Sequence, residues 1–162
     1  ELDSLQAKIH VMAKKIGLAA DHAGFEEKEK VKKTLDELGI EYVDLGTTSA
    51  ESVDYPDYAK KVAEGVASGE YDQGVLVCGS GTGMAIAANK VKGVRAAVAW
   101  SPEIASLARQ HNDANILSLP ARFVTENDAA NIVKAFFAAN FESGRHERRV
   151  DKIRELENED FK

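Results

Sequence analysis

The sequence predicts an α/β fold, a three-layer Rossmann-like sandwich with a five-stranded parallel sheet flanked by helices. Three observations predict it. Short apolar runs alternate with amphipathic helical stretches along the 162 residues. The run Gly74-Val-Leu-Val-Cys78 shows no polar alternation, as expected of a strand covered on both faces. Polar clusters that could carry chemistry fall where such runs end, which is where open parallel sheets bind ligands.

The elements follow in order. Ile16 to Ala20 is the first strand, ending at Asp21-His22-Ala23-Gly24. Glu26 to Leu38 reads as a helix, with Val31, Leu35 and Leu38 on one face and Gly39 as its stop. Tyr42 to Leu45 is a second strand, and a loop through Tyr55-Pro56 leads into a helix from Asp57 to Ser68. After the strand ending at Cys78 come the Gly79–Gly83 loop and a short apolar helix over Met84 to Lys90. Val94 to Trp100 is the fourth strand. Ser101-Pro102-Glu103 then opens a helix to Gln110 with a capping hydroxyl, proline in the first turn and an early acid. On this reading His111-Asn112-Asp113 follows that helix and Asn115 to Leu119 is the fifth strand. Thr125 caps a helix reaching Ala139, with Asp128 in capping-box position. A last helix from His146 to Glu157 is expected to turn Val150, Ile153 and Leu156 inward, with a frayed tail after Leu156.

Composition narrows the function classes. Apolar residues make up 44% and charged residues 30%, an ordinary globular balance, and the length suits one core. A net charge of −6 argues against a nucleic-acid or anionic-membrane surface. No apolar run is long enough to span a bilayer. The one cysteine allows no internal disulfide and fits a reducing, cytoplasmic setting. Met12-Ala13-Lys14-Lys15 reads like a natural start, so residues 1–11 are expected to be an extension and 12–162 a single domain. The alternative for the extension is a short helix with Leu2, Leu5 and Ile9 on one face.

The glycine loop is the sharpest local feature. Gly79, Gly81 and Gly83 allow a tight turn whose N–H groups aim at a phosphate or a developing oxyanion. The spacing Gly-x-Gly-x-Gly after the third strand departs from the dinucleotide fingerprint, and no Walker lysine follows. Cys78 stands directly before this loop, where N–H dipoles are expected to lower its pKa and raise its thiolate fraction. A thiolate there can act as general base toward a carbon acid; the competing reading is an inert buried cysteine. His22 and His111 are candidate acids, bases or phosphate donors, and neither sits at metal-ligand spacing. Asp21 either orients a hydroxyl or caps the next helix. Arg145 and Arg149, four apart, share a helix face if that helix begins early enough, and two guanidinium forks suit a phosphate dianion. The competing reading pairs them with Glu142, Glu147 or Asp151.

Five blocks together carry a resemblance: Asp21-His22-Ala-Gly-Phe25, Asp54-Tyr55-Pro56, Cys78 through Lys90, Arg109-Gln-His-Asn-Asp113 and Gly144-Arg-His-Glu-Arg-Arg149. In this order, over residues 14–157, they resemble the ribose-5-phosphate isomerase B family, which also holds allose- and galactose-6-phosphate isomerases. The resemblance implies an aldose–ketose isomerase acting through an enediolate. It implies Cys78 as the base between C1 and C2, His111 in ring opening, and Ser80 at the reacting oxygens. It implies that Gly79, Gly81, Thr82, Gly83 and Asn112 stabilise the enediolate, and that Asp21 and Tyr55 contact the sugar. Arg122, Arg145 and Arg149, with His22, would hold the phosphate. Some relatives use a glutamate elsewhere in place of the cysteine; this chain is of the cysteine type. The resemblance further implies no metal and no cofactor, and a homodimer or dimer of dimers with sites shared between subunits. Ribose 5-phosphate is the expected substrate, since the galactose enzymes are built from two different chains. The alternatives are a six-carbon sugar phosphate and a non-catalytic phosphosugar-binding module.

Overall fold

A computed structural model describes residues 15–160. The expected extension over residues 1–11 lies outside the described residues. The elements are β1 (Lys15–Ala20), a 3-10 turn (His22–Gly24), α1 (Phe25–Glu37), β2 (Glu41–Asp44), α2 (Tyr55–Ser68) and β3 (Gln73–Cys78). They continue with α3 (Thr82–Ala88), β4 (Ala96–Val98), α4 (Pro102–Asn112), β5 (Ile116–Pro120), α5 (Glu126–Ala138) and α6 (Arg145–Asp160).

The five strands form one sheet in the order β2-β1-β3-β5-β4, every pair parallel. Parallel pairing needs crossovers, and the amphipathic helices supply them. Alternate side chains of the central strands feed two cores. Val75 and Val77 of β3 join Leu117 and Leu119 of β5 under α1, α4 and α5. Leu76 and Cys78 point the other way, into a cluster with Val62, Val66 and Met84 from α2 and α3. The central strands are fully covered, with Val75, Leu76, Val77, Ile116, Leu117 and Leu119 all 0% exposed, which accounts for their unbroken apolar sequence.

From β1 the chain crosses to β2 on one side and then to β3 on the other. The strand order therefore reverses between β1 and β3, and a crevice opens beyond their carboxyl ends. Asp21 leaves β1 there and Cys78 ends β3 there.

Four expectations are corrected. Helix α4 runs two residues beyond Gln110, so His111 and Asn112 form its last turn instead of following it. Asp113 caps it with left-handed backbone (φ 48°), and Arg109 Nη1 donates to its carboxylate at 2.8 Å. Of the three apolar residues expected to turn inward from α6, Val150 does; Ile153 and Leu156 are 40% and 57% exposed. They instead line an open groove of about 410 Å³ with Val94 and Ala96. Nor does the helix fray after Leu156: it continues to Asp160, and Glu157 accepts a hydrogen bond from the Gly93 N–H at 3.2 Å. The fourth strand is also shorter than its apolar run, covering only Ala96–Val98.

Candidate active site

The site is built outward from the end of β3. The Cys78 side chain is 4% exposed. The backbone N–H groups of Met84, Gly81 and Ser80 point at its sulfur and favour the thiolate. Burial acts against them and is the largest influence, and the Asp21 carboxylate adds to it, so the Cys78 thiol is pushed up. The expected lowering is thus corrected: the dipoles act in the anticipated direction, and desolvation outweighs them.

The loop that supplies these N–H groups is tied down by β5. Ser118, fully buried, donates from its hydroxyl to the Gly81 carbonyl at 2.6 Å. The N–H groups of Ala121 and Arg122 donate to the carbonyls of Cys78 and Gly79 at 2.9 and 3.0 Å. Gly81 takes the left-handed conformation (φ 78°) that turns the chain into α3, and the Thr82 N–H donates to Ser80 Oγ at 3.3 Å. Ser118 is a positioning residue that sequence reasoning missed; a serine inside an apolar strand was the available signal.

The neighbours of Cys78 come from three other elements. Gly24 lies so close to β3 that an added Cβ would sit 2.2 Å from the Val77 carbonyl oxygen, and this contact seats the Asp21–Gly24 turn over the strand end. Asp21 caps the turn by accepting from the Gly24 N–H at 3.0 Å, so its capping and site-facing roles coexist. His22 Nδ1 accepts from the Val53 N–H at 3.2 Å, which ties the turn to the loop before α2. Tyr55, the first residue of α2, lays its ring against Gly83, and the Arg122 side chain lies against Gly79. Asp21, His22, Tyr55, Cys78, Ser80, Thr82, the three loop glycines and Arg122 therefore gather at one end of the sheet.

His111, Asn112, Arg145 and Arg149 do not join them. His111 and Asn112 end α4 before the chain enters β5, at the opposite edge of the sheet from Cys78. A strand of five residues puts roughly 15–20 Å between those edges. Around His111 a second cluster forms. The His111 and His146 rings stack with centroids 4.1 Å apart and planes 8° from parallel. The Glu142 carboxylate lies 3.5 Å from His111 Nε2 and 3.7 Å from His146 Nε2. Burial, then the charges of His111 and Arg145, hold His146 below the usual imidazole range. Helix α6 does start early enough to align Arg145 with Arg149. Among the described residues no carboxylate lies within ion-pair distance of either arginine; Asp151 pairs with Arg154, and Glu142 faces the histidines.

His111, Glu142 and His146 offer donor atoms within 4.8 Å of one another, a set of the kind that holds a divalent ion. Their geometry argues otherwise. A histidine ligates along an in-plane lone pair, and parallel stacked rings run those lone pairs side by side, so one ion cannot take both without ring rotation. Glu142 and the stacking role of His146 were missed from sequence, because both depend on α6 docking beside the end of α4.

The comparisons with known proteins agree with this architecture. A model of the ribose/galactose isomerase family matches residues 16–153. Ribose-5-phosphate isomerase B of Escherichia coli is 48% identical over 144 residues, covering 89% of this chain and 97% of the relative. Among solved structures, ribose-5-phosphate isomerase B of Clostridium thermocellum superposes with a TM-score of 0.88 at 49% identity, covering 90% of this chain and 98% of that one. The Mycoplasma genitalium enzyme, solved with bound ribulose-5-phosphate, gives 0.87 at 46% identity, covering 91% and 99%. With the glycine loop, its cysteine and the strand order all inside a match that spans residues 16–153, the chain belongs to the ribose/galactose isomerase family.

Proposed function

We propose that this isomerase interconverts ribose 5-phosphate and ribulose 5-phosphate, with Cys78 as the base. The observation that carries the reading is the ring of N–H groups from Ser80, Gly81 and Met84 around a buried sulfur at the switch point of the sheet. An aldose–ketose isomerisation needs one base beside donors fixed for oxyanion charge.

The reaction runs in balanced steps. The furanose opens: the C1–O4 bond breaks, O4 gains a proton through His111, and the O1 hydroxyl loses one to solvent as C1=O forms. Cys78 thiolate then takes the C2 proton, leaving a cis-enediolate whose charge is met by the loop N–H groups and Asn112. Cys78 returns the proton to C1, and Ser80 relays the hydroxyl proton from O2 to O1 as C2=O forms. No electrons leave the substrate, so the chemistry calls for no redox partner. Asp21 and Tyr55 hold sugar hydroxyls, and Arg122, Arg145, Arg149 and His22 hold the phosphate, whose binding energy positions the reacting carbons. That Arg145 and Arg149 have no carboxylate within ion-pair distance among the described residues, in a chain of net charge −6, supports that role.

Since the two clusters lie at opposite edges of one chain, we propose a homodimer, or a dimer of dimers, in which each site takes the Cys78 end from one subunit and the His111 end from its partner. The reading is tested by assaying ribose, allose and galactose phosphates with the wild-type chain and with Cys78→Ala. Expected are turnover fastest on ribose 5-phosphate and a loss of roughly 10²–10⁴-fold in kcat on removing the thiol, with substrate binding kept. Faster turnover of a six-carbon phosphate would overturn the sugar assignment, and binding without turnover by both proteins would overturn the enzyme.

A further inference from the structure

We propose that Glu142 is the positioning residue for His111, holding its imidazole at the tip of α4 in the place and orientation that furanose opening needs. The inference rests on the isomerase reading above and assigns a role to a residue outside its substrate-contacting set.

Two groups of observations carry it. The first is geometric. Glu142 precedes α6, and its own N–H donates to the Gln110 carbonyl at 3.0 Å, so the backbone of this residue is fastened to the last turn of α4. Ser143 and Gly144 follow in left-handed conformations (φ 59° and 58°), which turns the chain sharply into α6 and brings His146 over His111. The carboxylate therefore lies within ion-pair distance of Nε2 of both rings, at 3.5 and 3.7 Å, from a backbone position fastened to α4. Stacking against His146 restricts ring tilt; the carboxylate restricts rotation within the stack.

The second is electrostatic. The cluster holds two imidazoles and two guanidinium groups, Arg145 and Arg149, on one surface. Glu142 is the carboxylate within ion-pair distance of the two imidazoles among the described residues. The charges of Arg145 and Arg149 act on His146, which stacks on His111, and Glu142 opposes them there. Its negative charge lies beside the stacked pair whether or not the arginines turn to a phosphate. A buffer of this kind suits a group that must give and regain a proton in each cycle, as a carboxylate does for an acid–base histidine in other sites.

The test separates ring opening from enediolate chemistry. Ribulose 5-phosphate has its C5 oxygen esterified and cannot close a five-membered ring onto C2, so exchange of its C1 hydrogen with solvent deuterium needs Cys78 and no ring opening. Glu142→Gln is expected to lower kcat/KM for ribose 5-phosphate about tenfold or more, while exchange at C1 of ribulose 5-phosphate stays within about twofold of wild type. Glu142→Asp, which keeps the charge on a shorter arm, should lie between the two. The Glu142 side chain is half exposed, so neither substitution threatens folding. An equal loss in both assays would make Glu142 a structural or phosphate-site residue and overturn the proposal, as would no loss in either. Wild-type protein that neither isomerises nor exchanges would instead sink the isomerase reading, and this inference with it.

Discussion

At Cys78 two influences of opposite sign meet on one sulfur. Backbone N–H groups favour its thiolate, and burial, with Asp21 beside it, favours the thiol. Burial wins, so the free enzyme holds a neutral thiol at pH 7 and a stronger base once deprotonated. The sign has a consequence for stability: with the folded pKa raised, the burial of Cys78 stabilises the fold fully below the ordinary thiol pKa of about 8.5 and less as pH rises through the folded value. It also has one for reactivity. Because Cys78 is the chain's one cysteine, its alkylation by iodoacetamide can be followed by mass alone. The rate should rise with pH to a midpoint above the ordinary thiol value. Asp21→Asn removes the neighbouring negative charge and should move that midpoint down, while asparagine can still accept from the Gly24 N–H. A midpoint that stays put or rises in Asp21→Asn would show that Asp21 does not act on the sulfur.

Among the elements, the link between α1, β2 and the loop before α2 is the least expected from sequence. Lys28, on α1, is 0% exposed, and its ammonium donates to both Asp44 carboxylate oxygens at 2.8 and 2.9 Å and to the Thr47 carbonyl. Burial alone would raise the Asp44 pKa, but Lys28, Lys32 and the Gly46 N–H outweigh it and hold the carboxyl below its usual range. Lys28→Ala leaves a half-buried carboxylate and a buried carbonyl short of a partner. It should cost about 3 kcal/mol, the low end for a broken buried pair because Lys32 remains, or roughly 6–12 °C in Tm for a domain of this size. For Asp44 the depressed pKa gives stability present above the ordinary carboxyl value and lost as pH falls through the folded one. Thermal melts should therefore show the largest gap between wild type and Asp44→Asn near pH 7, closing below about pH 4; a gap constant with pH would refute the ion pair's contribution. The contrast explains what was legible. β1, β3 and β5 were readable because both faces are covered, and their sequences say so without reference to anything else. Lys28 reads as one more charge on an amphipathic helix, since nothing local reveals that Asp44 and Thr47 arrive beside it. The true end of α4 was hidden similarly: Gln110 looks like a stop until the Arg109–Asp113 pair and the Arg95 contacts to the Asn112 and Asp113 carbonyls extend the helix. Ile153 and Leu156 keep helical spacing, but spacing names a face and not what covers it.

For the whole molecule the sheet itself poses the problem. Sequence motifs listed side by side suggest one site, yet a parallel sheet places residues that follow strands at one edge and residues that precede them at the other. Cys78 ends β3 and His111 precedes β5, so one chain cannot join them at hydrogen-bonding range. Two chains related by a twofold axis can, because each then offers a Cys78 end to the other's His111 end. The groove flanked by the exposed Ile153 and Leu156 adjoins Asn112, so the proposed second subunit would find apolar surface beside that end of the sheet. Subunit mixing decides the matter. Cys78→Ala and His111→Asn should each be inactive on ribose 5-phosphate. When the two are co-expressed, half of the dimers are mixed, and each mixed dimer has one site built from the intact Cys78 of one chain and the intact His111 of the other. Activity should recover to about a quarter of wild type. Wild type mixed with the double variant makes the opposite forecast: both sites of that mixed dimer lack one group, so it should be dead, whereas sites formed within single chains would leave it half active. Complementation in the first mixture, together with only the quarter of wild-type activity that wild-type homodimers supply in the second (against about a half for sites within single chains), is the outcome the shared-site proposal expects.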